Sequence, residues 1–326
     1  MSTTMNKRQR LLAAFSQQPV DRVPVGFWFH FPAEKGVGEA CIEAHLAYYR
    51  SNHPDFMKIM CDGYFTYPLD FSIETPADWR KLQPLSENHP FIREQVERAK
   101  EVTRRIHAMD ADCCTFYNIF APFSSIRFKL GDQLVMEHLR QDPEAVMEGL
   151  NAIAQSNALL AKLCVTEAGC EGVYYCVQGG EVDRMSVEEY RRYITPSDRF
   201  VLEQVNTVSE NNILHCCGWA GIKNHLEDWQ DYPAKCINWA VFIEKMDLKE
   251  GKEFFGGKTV LGGFDNRKTG LLVNGSKEEI QRFTQELLER TGTTGVMLGA
   301  DCTLPSDIDL QRLLWVTEAA QQFGSR

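Results

Sequence analysis

The sequence predicts an α/β chain whose parallel strands close into a (β/α)8 or TIM barrel, and two observations predict it. Eight short runs rich in β-branched, aromatic or cysteine residues alternate with longer stretches of helical pattern. Such alternation means parallel strands joined by crossover helices, and eight units are what a closed barrel needs. The length of 326 residues exceeds an ordinary single core but suits one barrel domain. Spacing alone also admits an open doubly wound sheet.

In chain order the expected strands are 23–29, 56–65, 112–120, 172–178, 212–217, 236–241, 259–264 and 295–299. Helical stretches fall between or after them at 90–109, 143–167, 187–210, 277–291 and 310–323. Ser186 before Val187-Glu188-Glu189 and Ser276 before Lys277-Glu278-Glu279 have the form of capping boxes, in which hydroxyl and carboxylate satisfy first-turn amides. No low-complexity tract, long linker or solenoid-period repeat interrupts the pattern. The expectation is a single barrel domain over 1–326 with an N-terminal helical extension.

Composition narrows the function classes. A hydrophobic fraction of 44% and a charged fraction of 25% are those of an ordinary globular protein. With 35 basic against 45 acidic residues the net charge is −10, which gives no general support to binding nucleic acid or an anionic membrane. No run approaches the roughly 18 uninterrupted apolar residues of a membrane span. The apolar run 11–15, after Lys7, Arg8 and Arg10, is too short for a signal-peptide core, so a cytoplasmic location is expected. Eleven cysteines, odd in number and mostly set in apolar runs, read as reduced thiols and not as a disulfide framework.

Chemistry concentrates in Asn212-Ile213-Leu214-His215-Cys216-Cys217-Gly218, read with Gly299-Ala300-Asp301-Cys302-Thr303-Leu304-Pro305. On a strand, side chains alternate with period two, so His215 and Cys217 share a face while Cys216 points the other way. Cys302 follows the run 295–298, at what would be another strand end. One imidazole, two thiols and an open fourth position are the pattern of a catalytic zinc site; closed structural sites use four protein ligands. Buried core thiols are the competing reading, since free cysteine packs as a small hydrophobe. Glu181, Glu244, Asp301 and a water are all open choices for a fourth ligand.

Other candidates lie at strand ends, where barrels assemble their active sites. Gln178 ends the fourth expected strand, and Asp265 with Asn266 ends the seventh. Asp62 and Tyr64 end the second and, by alternation, share a face; a turn role for Asp62 beside Gly63 is the alternative. Tyr117, Asn118 and His30 are weaker candidates, and Phe27, Trp28 and Phe29 line either the mouth or the core. The run 251–259 has a glycine and lysine content like that of a phosphate loop. Its spacing is wrong by one and it precedes a strand, so nucleotide binding is not expected.

The His215-x-Cys217…Cys302 pattern resembles the zinc signature of the methyltransferases in the uroporphyrinogen decarboxylase superfamily, which methylate thiols such as coenzyme M from a corrinoid protein. Pro19-Val20-Asp21-Arg22-Val23-Pro24-Val25 is similar to the family's opening, Leu261-Gly262-Gly263-Phe264-Asp265 to its glycine-rich seventh strand, and Leu272-Val273-Asn274-Gly275-Ser276-Lys277-Glu278-Glu279-Ile280 to the loop and helix beyond. The likeness covers nearly the whole chain. It implies the barrel over the open sheet, bound Zn²⁺, a small-molecule thiol acceptor, a methylcorrinoid supplied by a separate protein and a homodimer. Zinc suits that chemistry because a neutral thiol is a poor nucleophile and coordination removes its proton.

The decarboxylases of the same family carry an Arg-Gln-Ala-Gly-Arg-Tyr motif after the first strand and a Gly-His-Gly at the eighth. Here the first stretch reads Gly26-Phe27-Trp28-Phe29-His30-Phe31-Pro32, with no arginine until Arg50, and the second reads Gly299-Ala300-Asp301. A tetrapyrrole bearing eight carboxylates calls for guanidinium partners. Porphyrinogen decarboxylation is therefore the second expectation, and a non-catalytic zinc barrel binding a small molecule or a corrinoid protein is the third.

Overall fold

The computed structural model describes residues 4–325; residues 1–3 and 326 of the expected 1–326 unit lie outside the described residues. Seven parallel strands follow one another in chain order: β1 (Phe56–Ile59), β2 (Cys114–Phe120), β3 (Gly172–Val177), β4 (Ile213–Cys216), β5 (Cys236–Trp239), β6 (Thr259–Phe264) and β7 (Val296–Ala300). Helices cross over between them, so the fold is the α/β barrel expected, with its ladder left open between β7 and β1.

The first expected strand, 23–29, is a correction. It makes only isolated parallel bridges, Val25 with Leu298 and Phe29 with Leu304. On one side Leu298 N–H donates to Pro24 O at 2.8 Å and Gly26 N–H to Leu298 O at 3.0 Å; on the other, Asp55 N–H donates to Val25 O at 3.0 Å. The segment thus fills the gap without forming a ladder. Pro24 has no N–H to give, and Val25 N–H goes to the Asp55 carboxylate at 2.8 Å. Asp55 also receives Arg10 and Arg22, which anchors the N-terminal segment to the start of β1.

Two other elements depart from expectation by more than two residues. The second expected strand, 56–65, ends at Ile59, and 60–65 turns through Gly63, whose φ of 86° suits glycine. The expected helix 187–210 divides into Val187–Tyr193 and Thr195–Asn206, because Pro196 near the start of the second piece cannot continue the first. Both expected capping boxes are present, at Ser186 and Ser276.

The strands bury both faces. Outward residues such as Met57, Val173, Leu214, Ile237 and Leu298 join the helices in one cluster. Inward residues, among them Phe56, Phe116, Tyr174, Cys176, Ile213, Cys236, Leu261 and Met297, form a second cluster with Trp28. The helix Lys7–Phe15 closes the N-terminal end of this interior with Leu11, Ala14 and Phe15, and Thr259 Oγ1 ties it down by donating to Ala14 O at 2.8 Å. The interior is therefore packed at the N-terminal ends of the strands by this helix.

Gly251, in the run that resembled a phosphate loop, lies in the helix Leu248–Phe254. A Cβ there would come within 2.0 Å of the Trp239 ring, so the glycine serves close packing on β5. All eleven cysteines are free, as the reduced-thiol reading expects. Among the described residues, no helix is long and apolar enough to cross a membrane.

Candidate metal centre

A cavity of about 530 Å³ opens at the C-terminal ends of the strands. Its wall is largely aromatic, from Phe65, Phe120, Phe128 and Trp219, and its polar groups include Gln178, Asn118, Asn266, Lys58 and His30. His215, Cys217 and Cys302 line it together. His215 follows Ile213 in the inward series of β4. The alternation runs one residue past the strand, because Cys217 N–H donates to Val177 O at 3.1 Å and keeps Cys217 in register. Cys302 arrives just after β7. Cys216 is fully buried in the outer cluster, where burial pushes its thiol well above the ordinary range.

Asn238 on β5 fixes the state of the imidazole. Its Nδ2 donates to Leu261 O at 2.8 Å and Ala300 O at 3.1 Å. Carbonyls only accept, so the amide cannot be reversed and Oδ1 must face the other way. There Oδ1 accepts from Tyr174 Oη–H at 2.8 Å and meets His215 Nδ1 at 2.5 Å. His215 must therefore carry its proton on Nδ1, leaving the Nε2 lone pair directed to the two thiols.

The separations suit a metal. Cys302 Sγ lies 3.5 Å from His215 Nε2 and 3.8 Å from Cys217 Sγ, and the three ligand atoms all lie within 4.8 Å of one another. A tetrahedral zinc with its usual bond lengths sets two sulfurs roughly 3.8 Å apart and a sulfur and nitrogen roughly 3.6 Å apart. The hydrogen bond from Cys217 holds Cys302 well below the usual thiol range, and the same contact pushes Cys217 up. Gln178 Nε2 donates to Cys217 Sγ at 3.4 Å.

The remaining expected residues divide. Gln178 lines the cavity and is held by Arg127, whose Nη2 donates to its Oε1 at 2.7 Å. Asn118 and Asn266 also line it. Asp62 does not reach the cavity; it accepts from Phe31 N–H at 2.9 Å and pairs at 2.6 Å with Nδ1 of His30, which does. Tyr64 donates to Glu94 at 2.6 Å with Arg98 over its ring, so Asp62 and Tyr64 do not share a face. The cause is the end of β1 at Ile59, beyond which period two no longer holds. Asp265 is turned to Arg267, at 2.7 Å, away from the cavity wall. Tyr117 points outward to Gln95.

Of the fourth-ligand candidates, Glu181 pairs with Arg184 at 2.7 Å and Glu244 accepts from Asn224. Asp301 accepts from Phe242 N–H at 3.0 Å, and burial raises its carboxyl well above the usual range. None of the three joins the cluster, whose three residues all line the cavity. Sequence reasoning passed over Asn238, Tyr174, Lys58 and Trp219. The signal for Asn238 and Lys58 was a lone polar residue at the inward parity of a strand.

A parallel α/β barrel with a His/Cys/Cys cluster at the floor of its C-terminal cavity defines the class. The family model described as "Uroporphyrinogen decarboxylase (URO-D)" matches residues 64–323. The chain belongs to that family. Among solved structures it resembles a methyltransferase from Methanosarcina mazei, at 17% identity and a TM-score of 0.75 over 98% of this chain and 99% of that one. It also resembles the β-mannanase from the blue mussel Mytilus edulis, at 13% identity and a TM-score of 0.50 over 94% and 92%. At such identities the likeness is one of fold. A search of curated protein sequences found no match.

Proposed function

We propose that this barrel is a zinc-dependent methyltransferase that moves a methyl group from a corrinoid protein to a small-molecule thiol. The observation that carries the reading is the set of three ligand atoms, with His215 Nε2 presented by Asn238, on the wall of one cavity. The methyltransferase that shares this fold suggests the reaction class.

His215 Nε2 and the Cys217 and Cys302 sulfurs would hold the ion. Bound there, zinc would lower the pKa of an acceptor thiol and orient its sulfur, while two thiolate ligands keep that sulfur electron-rich. The chain's own residues do the rest. Asn238 keeps the proton on Nδ1, and Gln178, braced by Arg127, positions the Cys217 sulfur. Phe65, Phe120, Phe128 and Trp219 offer an apolar wall that limits water near a reactive methyl group. Asp62 acts only through His30.

A porphyrinogen decarboxylase fits less well, because the cavity wall carries one lysine and no arginine for a substrate with eight carboxylates. The test is thiol-dependent loss of the methyl–cobalt absorbance of a methylcorrinoid in the presence of zinc-loaded protein. Demethylation that requires both zinc and thiol supports the reading; none with any thiol, at full zinc occupancy, contradicts it.

A further inference from the structure

His30 lies just beyond the 23–29 segment and lines the cavity that holds the three ligands. Its Nδ1 meets Asp62 Oδ1 at 2.6 Å. Asp62 is only 3% exposed, and its other oxygen accepts from Phe31 N–H at 2.9 Å. A carboxylate only accepts, so the His30 proton sits on Nδ1 and Nε2 carries a lone pair. Among the described residues no donor takes that lone pair.

The dyad is firmly mounted. Arg98 donates to Asp62 O at 2.8 Å, Met60 O at 3.1 Å and Gly36 O at 2.9 Å, which ties the turn carrying Asp62 to the loop after His30. The Phe65 ring stands edge-on to the imidazole, with 5.3 Å between centroids, and limits its rotation. A ring nitrogen held by an orienting carboxylate is the arrangement that general-base catalysis needs.

The rest of the cavity wall offers no rival base. No Asp or Glu lines it, and His215 Nε2 and the Cys217 and Cys302 sulfurs belong to the metal centre. Lys58, as an ammonium, has donors and no lone pair. Burial pushes the Cys176 thiol up to about 11, and that thiol donates to Asn118 Oδ1 at 3.0 Å. The His30 side chain is also 43% exposed, and it lines a neighbouring hollow of about 440 Å³ with Phe31 and the exposed Val37. A proton taken from the cavity can therefore reach water from the same ring.

We propose that His30 is a catalytic base of this site, with Asp62 its positioning residue, and that His30 Nε2 takes the proton of the acceptor thiol. The S–H bond breaks, its electron pair stays on sulfur, and an N–H bond forms at Nε2. The imidazolium, beside the Asp62 carboxylate, then passes the proton to water, and nothing is oxidised or reduced. That the acid is a thiol rests on the methyltransferase reading; that the cavity holds a base rests on the dyad.

The test sets ethanethiol against trifluoroethanethiol, a near-isostere that ionises far more readily because its fluorines withdraw charge, at about pH 8. Two rates are measured for each. One is thiol binding to the cobalt(II)-substituted protein, followed by its thiolate charge-transfer band with no corrinoid present; the other is demethylation of a methylcorrinoid by the zinc-loaded protein. In His30→Ala both rates fall about 100-fold or more with ethanethiol and stay within a few-fold of wild type with trifluoroethanethiol, which needs no base. His30→Gln, which keeps a polar group beside Asp62 but no basic nitrogen, behaves as His30→Ala does, and Asp62→Asn shows the same thiol dependence at smaller size. Equal losses with the two thiols mean a structural role and overturn the proposal, as does a wild-type ethanethiol rate in either His30 variant. His30-dependent binding of ethanethiol without demethylation of any corrinoid upholds the base and sinks the methyltransferase reading. No thiol binding by the wild type sinks both.

Discussion

Asn238 offers the sharpest test of how the centre is held. Its amide joins four groups: Tyr174 Oη, His215 Nδ1, Leu261 O and Ala300 O. Asn238→Ala removes the acceptor that keeps the proton on His215 Nδ1. Loss of such an outer partner weakens metal binding by about 10–100-fold, or roughly 1.4–2.7 kcal/mol. It also strips two buried carbonyls and a hydroxyl of a partner; at the low end for each, apo-protein stability falls by about 3 kcal/mol. Asn238→Asp separates the two effects, because a carboxylate still accepts from Nδ1–H but cannot donate to the carbonyls. Competition with a chromophoric chelator at fixed pH, beside urea unfolding of the apo protein, reads both. The Asp variant stays within a few-fold of wild type in zinc affinity while losing stability; the Ala variant loses both. Wild-type zinc affinity in Asn238→Ala, or equal losses in Ala and Asp, would refute the argument from the tautomer.

Cys217→Ala and Cys302→Ala abolish stoichiometric zinc by elemental analysis, whereas Cys216→Ala, in the outer cluster, keeps it; equal losses at all three would contradict the geometry. The protein does not convert uroporphyrinogen to coproporphyrinogen at a useful rate, and robust turnover by chromatography would overturn the reading of the cavity wall. Asp228 is buried with neither carboxylate oxygen hydrogen-bonded, and burial pushes its carboxyl up to about 8. The native state then holds a proton that the unfolded chain releases near pH 4, so this group's contribution falls as pH rises from about 4 to about 8. Asp228→Asn flattens the stability–pH curve by up to about 1.4 kcal/mol per pH unit in that window, with Asp198, raised to about 7 by burial, adding a slope of the same sign to both proteins. An unchanged slope in urea unfolding from pH 5 to 8 would show that Asp228 is not buried as described.

The metal ligands were legible because they depend on local rules. Alternation places His215 and Cys217 together as long as the strand register holds, and the Cys217 N–H bond to Val177 extends it just far enough. The capping boxes at Ser186 and Ser276 are equally local. What the sequence hid depends on register across the barrel. Lys58 and Asn238 each look like one polar residue in a β run, and only closure shows that both point inward beneath the same cavity. Asp62 and Tyr64 failed to share a face because β1 stops at Ile59, and the segment 23–29 failed as a ladder because Pro24 and the Asp55 carboxylate take away two of its pairing positions. Asp265 lay at the right strand end but is satisfied by its neighbour Arg267.

The methyltransferase reading requires a thiol acceptor to complete the His215, Cys217 and Cys302 centre. Zinc-edge X-ray absorption on the loaded protein, before and after addition of the thiol, reads this from the metal itself. Two sulfur scatterers at about 2.3 Å with lighter nitrogen or oxygen neighbours are expected before addition, and three sulfurs after. A zinc shell unchanged by every anionic and neutral thiol at saturating concentration would contradict it.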